Sequence, residues 1–391
     1  MKKLYLIVIS LLFTLNCFSK DTSIEVGAQQ YAEYFPLLQN KRIAIYSNHT
    51  GMVKDKHILD ILIGNDFNVT AIFSPEHGFR GSADAGEHIS SSKDIKTGVP
   101  ILSLYDGKDG KPSKKSMNQF DVLVIDIQDV GLRFYTYYIT MVKLMDACTV
   151  NNKQVVLLDR PNPNGHYVDG PILDMKNKSG VGHLPIPIVH GMTLGELALM
   201  SIGEGWLTTN KKCDLTVIKC KNYTHNSLYQ LPIAPSPNLP NMLSIYLYPS
   251  ICLFEGTPVS LGRGTDFPFQ AYGHPDMKNK YIFSFTPKSI SGAKNPPLLN
   301  KQCYGVDLRT MSLDEAAQIK KVSLDYIIDA YNTLNMGESF FKRFFTLLIG
   351  VDYVKDMIIA GKSAMEIESM WKEDVENFKN QRKPYLLYPE N

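Results

Sequence analysis

One rhythm constrains this chain more than anything else in it. Between residues 40 and 220, short runs that are apolar almost throughout alternate with helical stretches. The runs fall at residues 42–47, 69–73, 101–104, 122–126, 154–158, 186–189 and 215–218. Helical patterns occupy residues 57–64, with Asp55 as the expected N-cap, and then 137–151 and 193–204. A strand with no polar alternation is buried on both faces, and such strands separated by helices make a mostly parallel sheet. The expected fold is therefore α/β, with an open, helix-covered sheet in the first domain.

The texture breaks at Pro232, Pro235, Pro237 and Pro240, four prolines in nine residues. Proline lacks an N–H and suits neither a helix interior nor a central strand. The segment reads as an extended crossover, giving a first domain over 24–240 and a second over 241–391. In the second domain, β-like pieces are expected near 246–254 and 281–286. Helices follow, opened by capping boxes at Ser312 with Glu315 and Ser363 with Glu366, with Gly361 stopping the helix before the second box. That makes the second domain a smaller α+β unit.

Residues 1–19 read as a removable export signal. Lys2 and Lys3 precede an apolar run too short to span a bilayer, and cleavage is expected after Ser19. The expected setting is secretion across the inner membrane into the periplasm, with lipid attachment at Cys17 as the alternative. No later stretch has the length of a membrane span. After cleavage five cysteines remain, none in a CxxC pair, so a structural zinc site is not expected. Cys213 and Cys220 flank a strand and are a candidate pair. A net charge of +2 with no long basic run excludes the electrostatic footprint of a nucleic-acid binder.

Nearly every expected strand runs into a polar, Gly- or Pro-rich cluster. In an open parallel sheet these carboxyl ends share one edge, and ligands bind in the crevice there. The clusters are Ser47-Asn48-His49-Thr50-Gly51, Ser74-Pro75-Glu76-His77-Gly78-Phe79-Arg80-Gly81, the stretch from Asp126 through Asp129 to Arg133, Asp159-Arg160-Pro161-Asn162, and His190-Gly191. No GxGxxG follows the first strand, and no P-loop, GxSxG or HExxH occurs, so no cofactor is called for. Carboxylates, amides and arginines remain. Paired carboxylates suit glycosidic bonds, and Asn and Arg suit sugar hydroxyls and carboxylates.

Glu76 leads as a rigidly held general acid on a Pro-Glu-His-Gly turn. Asp126 and Asp129 are the partner carboxylates, either catalytic or capping. Arg133 is a clamp for an anion or a partner for Asp129. Glu196 reads as the N3 residue of a capping box from Thr193. His49, His77 and His190 admit a metal-site reading, as in a metal-dependent peptidoglycan amidase, though no pair has close ligand spacing. A sugar-binding protein without catalysis is a further alternative. In the second domain, Glu255 and Arg263 sit in a Gly/Thr loop that suits close approach to a ligand.

These blocks, with Phe134 to Tyr137, Pro187 to Thr193, Pro235-Ser236-Pro237-Asn238 and Phe254 to Thr265, resemble the NamZ family of secreted bacterial exo-β-N-acetylmuramidases. The resemblance spans nearly the whole mature chain. It implies a Rossmann-like N-terminal domain, a smaller C-terminal domain and an active site in the cleft between them. It also implies release of N-acetylmuramic acid from non-reducing ends of peptidoglycan fragments, with Glu76 at the family's catalytic glutamate. The partners expected are peptidoglycan-derived muramosaccharides. The substrate-binding candidates are Asn48, His77, Arg80, Arg133, Tyr137, Asp159, Asn162, His190, Asn238, Glu255 and Arg263.

Overall fold

Strand β1 (Ile43–Ser47) is buried at all five residues, because both of its edges and both of its faces are covered. This is a computed structural model, and it describes residues 23–75, 79, 92–104, 106–107 and 111–390. A two-strand ribbon follows, β2 (Met52–Val53) with β3 (Lys56–His57). The sheet continues with β4 (Val69–Phe73), β5 (Ser92–Lys93), β6 (Pro100–Leu102), β7 (Val122–Asp126), β8 (Gln154–Leu158) and β9 (Leu215–Ile218). Its order is β5-β6-β4-β1-β7-β8-β9, and only the edge strand β5 runs antiparallel.

The six parallel strands thus take the doubly wound order 3-2-1-4-5-6. In that order the switch point lies between the first and fourth strands, β1 and β7, where Ser47 stands beside Asp126. Alternate residues feed two cores. Ala44, Tyr46, Leu123 and Ile125 join a large cluster that continues into the C-terminal helices, while Ile43, Ile45, Val122 and Val124 meet α1 (Tyr31–Leu38) and α2 (Ile58–Gly64).

Further helices are α3 (Lys114–Met117), α4 (Tyr137–Val150), α5 (Leu194–Gly203) and α6 (Met242–Ile251). The remainder of the chain carries a small antiparallel sheet, β10 (Ala271–His274), β12 (Cys303–Asp307) and β11 (Ser284–Phe285) in that order, and a run of short helices. The Ser312 and Ser363 capping boxes both form, as does that of Thr193 with Glu196.

Four expectations need correction. The 186–189 run is not a sheet strand. Pro185 and Pro187 remove the amides a ladder needs, and Val189 instead bridges Leu132 and Asp169. The 246–254 piece is helix: α6 is buried at every residue, and a helix apolar all round has no period to distinguish it from a buried strand. His57, not Asp55, caps α2, its Nδ1 accepting from the Leu59 amide at 3.1 Å. Cys213 and Cys220 are buried free thiols rather than a pair.

The chain end returns to the first domain. Tyr388 donates its hydroxyl to Asp159 at 2.6 Å, the Leu387 amide donates to Glu196 at 2.8 Å, and the His225 amide donates to Pro389 O at 2.8 Å.

Candidate active site

The residue that follows β1, Asn48, is fully buried and builds the floor of the switch-point crevice. Its Oδ1 accepts from the Thr50 amide (3.0 Å) and hydroxyl (2.6 Å), and its Nδ2 donates to the Tyr137 hydroxyl at 3.0 Å. Tyr137, first in α4, and Tyr135 both donate to Pro235 O, at 3.2 and 2.9 Å. His49 Nε2 lies 2.9 Å from Ala234 O. The proline-rich crossover is therefore pinned across the carboxyl edge of the sheet by side chains from the first and fourth parallel strands' loops.

Behind that crossover lies a cavity of about 430 Å³. Its wall is an aromatic chain in which Tyr135 meets Tyr137 at 4.6 Å and Tyr248 at 6.3 Å between ring centroids. Tyr248 meets Phe269 at 4.7 Å, and the Arg263 guanidinium lies 4.9 Å from the Phe269 ring centre. Ser236, Asn238 and the Glu255–Arg263 pair supply polar groups, so residues from both halves of the chain line it. Rings that present a face with hydroxyls at the edge, next to an amide and a charged pair, suit a pyranose better than a flat apolar ligand. Arg263 donates from Nε (3.0 Å) and Nη2 (2.5 Å) to the same Glu255 oxygen.

Of the residues singled out in the sequence, Tyr137, Asn238, Glu255 and Arg263 line this cavity, and Asn48 is one hydrogen bond behind it. Glu76, His77 and Arg80 lie outside the described residues. The remaining candidates are engaged in holding the fold. Asp126 forms a buried bidentate pair with Arg160, at 2.6 and 3.0 Å. Arg133 is fully buried and meets no carboxylate: it donates to the carbonyls of Pro171, Ile186, Leu348 and Ile349, tying the C-terminal helices to the first domain. Burial lowers its pKa to about 10.

Asp159 accepts from the Thr193 and Tyr388 hydroxyls and the Gly195 amide. Burial raises its pKa to about 6 against the pull of those donors. Asn162 bridges Met192 O and the Asn164 amide. His190 accepts from the Met192 amide at 3.2 Å, and burial, with Arg382 nearby, lowers its pKa to about 3, so the ring is neutral.

Asp129 differs from all of these. Its Oδ1 accepts from the Gly131 amide at 2.7 Å, while its buried Oδ2 has no hydrogen-bond partner. Burial raises its pKa to about 7, and burial likewise raises those of the nearby Tyr135 and Tyr138 hydroxyls. A buried carboxyl poised near neutrality close to the cavity wall can hold or release a proton at the pH of reaction. Among the described residues, no three His, Cys, Asp or Glu side chains gather as a metal site.

Tyr135, Tyr248, Phe269 and Ser236 were not singled out in the sequence. For Tyr135 the available signal was the Tyr-x-Tyr alternation just ahead of α4. Tyr248 and Phe269 read as ordinary core, and only the folded chain brings them to one wall.

Comparison with known proteins supplies the family. Residues 43–243 match the family model for the N-terminal part of the exo-beta-N-acetylmuramidase NamZ, and residues 246–388 match that for its C-terminal part. The peptidoglycan beta-N-acetylmuramidase NamZ of Bacillus subtilis strain 168 is 37% identical over 397 aligned positions, which cover 95% of this chain and 93% of that protein. Two crystal structures of DUF1343 family proteins from Bacteroides fragilis align over 94% of this chain and 100% of theirs. One has 66% identity and a TM-score of 0.88, the other 27% and 0.80. With both halves matched in order, the chain belongs to the exo-beta-N-acetylmuramidase NamZ family of peptidoglycan glycosidases.

Proposed function

We propose that this protein is an exo-acting glycoside hydrolase that removes N-acetylmuramic acid from non-reducing ends of peptidoglycan fragments such as the MurNAc-GlcNAc disaccharide. The active site proposed is the cleft between the two domains. The observation that carries this reading is the cavity beside the β1/β7 switch point, with its tyrosine wall, Asn238 and the Glu255–Arg263 pair. A pocket of that size suits one terminal sugar, which is what exo action needs.

Glu76, which follows β4 after Ser74 and Pro75, is the proposed acid that protonates the leaving oxygen. Asp129 is the proposed second carboxyl of the pair, acting on the anomeric side. Asp126, locked to Arg160, serves by holding the edge of the sheet rigid between them in sequence.

Glu76→Gln tests the acid role. Gln keeps the shape but cannot donate a proton with carboxylic acidity, so kcat on the natural disaccharide should fall about 10²–10⁴-fold. The loss should be much smaller on a nitrophenyl muramoside, whose leaving group needs little protonation. Equal losses on both substrates would remove Glu76 from the acid role. Absence of released N-acetylmuramic acid with the unmodified protein would defeat the reading as a whole.

A further inference from the structure

The tyrosine wall has two ends. One is Tyr137, bonded to Asn48 at the carboxyl end of β1. From there the contacts run in order through Tyr135, Tyr248 and Phe269 to the Arg263 guanidinium, and so to Glu255. The sheet edge, where the proposed catalytic carboxyls follow their strands in sequence, is at one end of the cavity, and the Glu255–Arg263 pair is at the other. Beyond the pair lies a second cavity of about 420 Å³, and among the described residues only Glu255 and Arg263 line both. The pair is thus a partition that closes the first cavity at its far end.

Glu255 is presented there on a rigid turn. It belongs to a 3-10 helix, Cys252–Gly256, whose other four residues are buried. A Cβ at Gly256 would lie 2.3 Å from the Phe345 backbone, and the Lys342 amide donates to Gly256 O at 2.9 Å, so the turn is pressed onto its neighbour with no room to shift. Both donors that Arg263 directs at Glu255, Nε and Nη2, meet one oxygen, Oε1. Oε2 accepts no hydrogen bond from any described residue, and among the described residues Glu255 is the only carboxylate lining either cavity. A carboxylate in an ion pair only accepts, so what Oε2 takes from a ligand is a donor. A pyranose lying along the wall with C1 at the sheet edge turns C4, the opposite ring atom, toward the partition. The donor carried there is the 4-hydroxyl. In a 1,4-linked glycan that hydroxyl is free only on the non-reducing terminal sugar; on every other sugar it is glycosylated and has no proton to give.

We propose that Glu255 is the residue that restricts this protein to chain ends: its Oε2 accepts the free 4-hydroxyl of the terminal sugar, and the Glu255–Arg263 partition stops a longer chain from passing. This rests on the reading of the protein as an exo-muramidase. Carboxyls acting at C1 serve an internal cut as well as a terminal one, so restriction to the end needs a separate device, and the far end of the cavity is where it must stand. A site built to bond a hydroxyl rejects the analogue that lacks it, and a hydrogen bond to a charged group is worth about ten- to a hundredfold. Partial exposure of the pair places the effect at the lower end.

The test measures kcat/KM of the unmodified enzyme, Glu255→Ala and Glu255→Gln on a nitrophenyl N-acetylmuramoside and on its 4-deoxy and 6-deoxy analogues. The unmodified enzyme should prefer the parent compound over the 4-deoxy analogue by about tenfold. In Glu255→Ala, which has no acceptor, that preference should fall to within about twofold, and in Glu255→Gln, which keeps the shape with a neutral acceptor, to about threefold. The 6-deoxy preference should be the same in all three proteins. A 4-deoxy preference that persists undiminished in both variants overturns the assignment while the hydrolase reading stands. So does a 6-deoxy preference that collapses in its place. If Glu255→Ala does not fold, the Glu255→Gln comparison decides by the same criteria. If the unmodified enzyme fails to turn over the muramoside at all, the hydrolase reading falls and the assignment falls with it.

Discussion

Arg133 and Arg263 carry the same guanidinium, and both stand close to the crevice in sequence terms, yet they occupy opposite kinds of region. Arg133 lies in the packed shell behind the site, where four backbone carbonyls surround it and no carboxylate does. Arg263 lies on the cavity wall, paired to one carboxylate and stacked on an aromatic ring. The shell behind the site turns its guanidinium onto backbone carbonyls, whereas the wall pairs its guanidinium with a carboxylate that also lines the cavity. The same contrast separates Asp126, bound bidentately by Arg160, from Asp129, three residues on and with an oxygen to spare. The partner each group is given, more than residue type, separates the two regions.

Substitutions that should be severe in the shell and mild on the wall put this contrast to the test. The largest effect is expected from Asp126→Ala. It leaves the Arg160 guanidinium buried without its counter-charge, at a cost of about 3–5 kcal/mol, which urea unfolding would read. An Asp126→Ala protein as stable as its parent would remove Asp126 from the shell.

Next comes a pair. Arg133→Met orphans four carbonyls and should lower stability by roughly 2–4 kcal/mol, with KM unchanged below the melting range. Arg263→Met removes a mostly buried pair, its side chains 21% and 24% exposed, and should cost about 1 kcal/mol while raising KM. Melting curves and initial rates on the two proteins should therefore move in opposite columns. Matching behaviour would erase the distinction between the regions.

The effect expected from Asp129→Asn is a gain rather than a loss, and it depends on pH. The folded carboxyl has its pKa raised to about 7 from an ordinary value near 3.8, so the native state holds the proton more tightly than the unfolded chain. Below pH 4 both states are protonated and burial carries no charge penalty. The penalty grows as pH rises from about 4 to 7 and is then constant. Asp129→Asn should match the parent at pH 4 and exceed it above pH 7 by on the order of 1–3 kcal/mol, while losing activity. Parallel stability curves for the two proteins between pH 4 and 8 would show that the carboxyl is not buried as a charge.

Much of this fold was legible before any coordinates. Residues 122–126 and 154–158 are apolar runs ending in polar clusters, and the strands begin and end where the pattern does. The run at 186–189 had the same composition, but its flanking prolines deny it a ladder. The run at 246–254 was apolar enough to be either buried strand or buried helix, and only tertiary packing decides between them. Sheet topology gathers the polar clusters at one edge, because carboxyl ends of parallel strands converge whatever their sequence. It could not separate Asp126 from Asp129, since that difference lies in a single arginine 34 residues away along the chain. Nor could it find Tyr248, which reaches the cavity wall from α6 by packing rather than by position on a strand.

The returning C-terminus carries a consequence for the order of events during synthesis. Asp159 sits at the end of a central strand, yet one of its hydroxyl donors, Tyr388, is 229 positions downstream. Glu196 likewise waits for the Leu387 amide. A nascent chain leaves the ribosome with the first domain's sheet available long before these partners exist, and contacts of such separation are the slowest to close. The first domain is thus completed only once residues 387 and 388 have been made. Loss of even the last handful of residues should be felt at its centre rather than at the chain's tip.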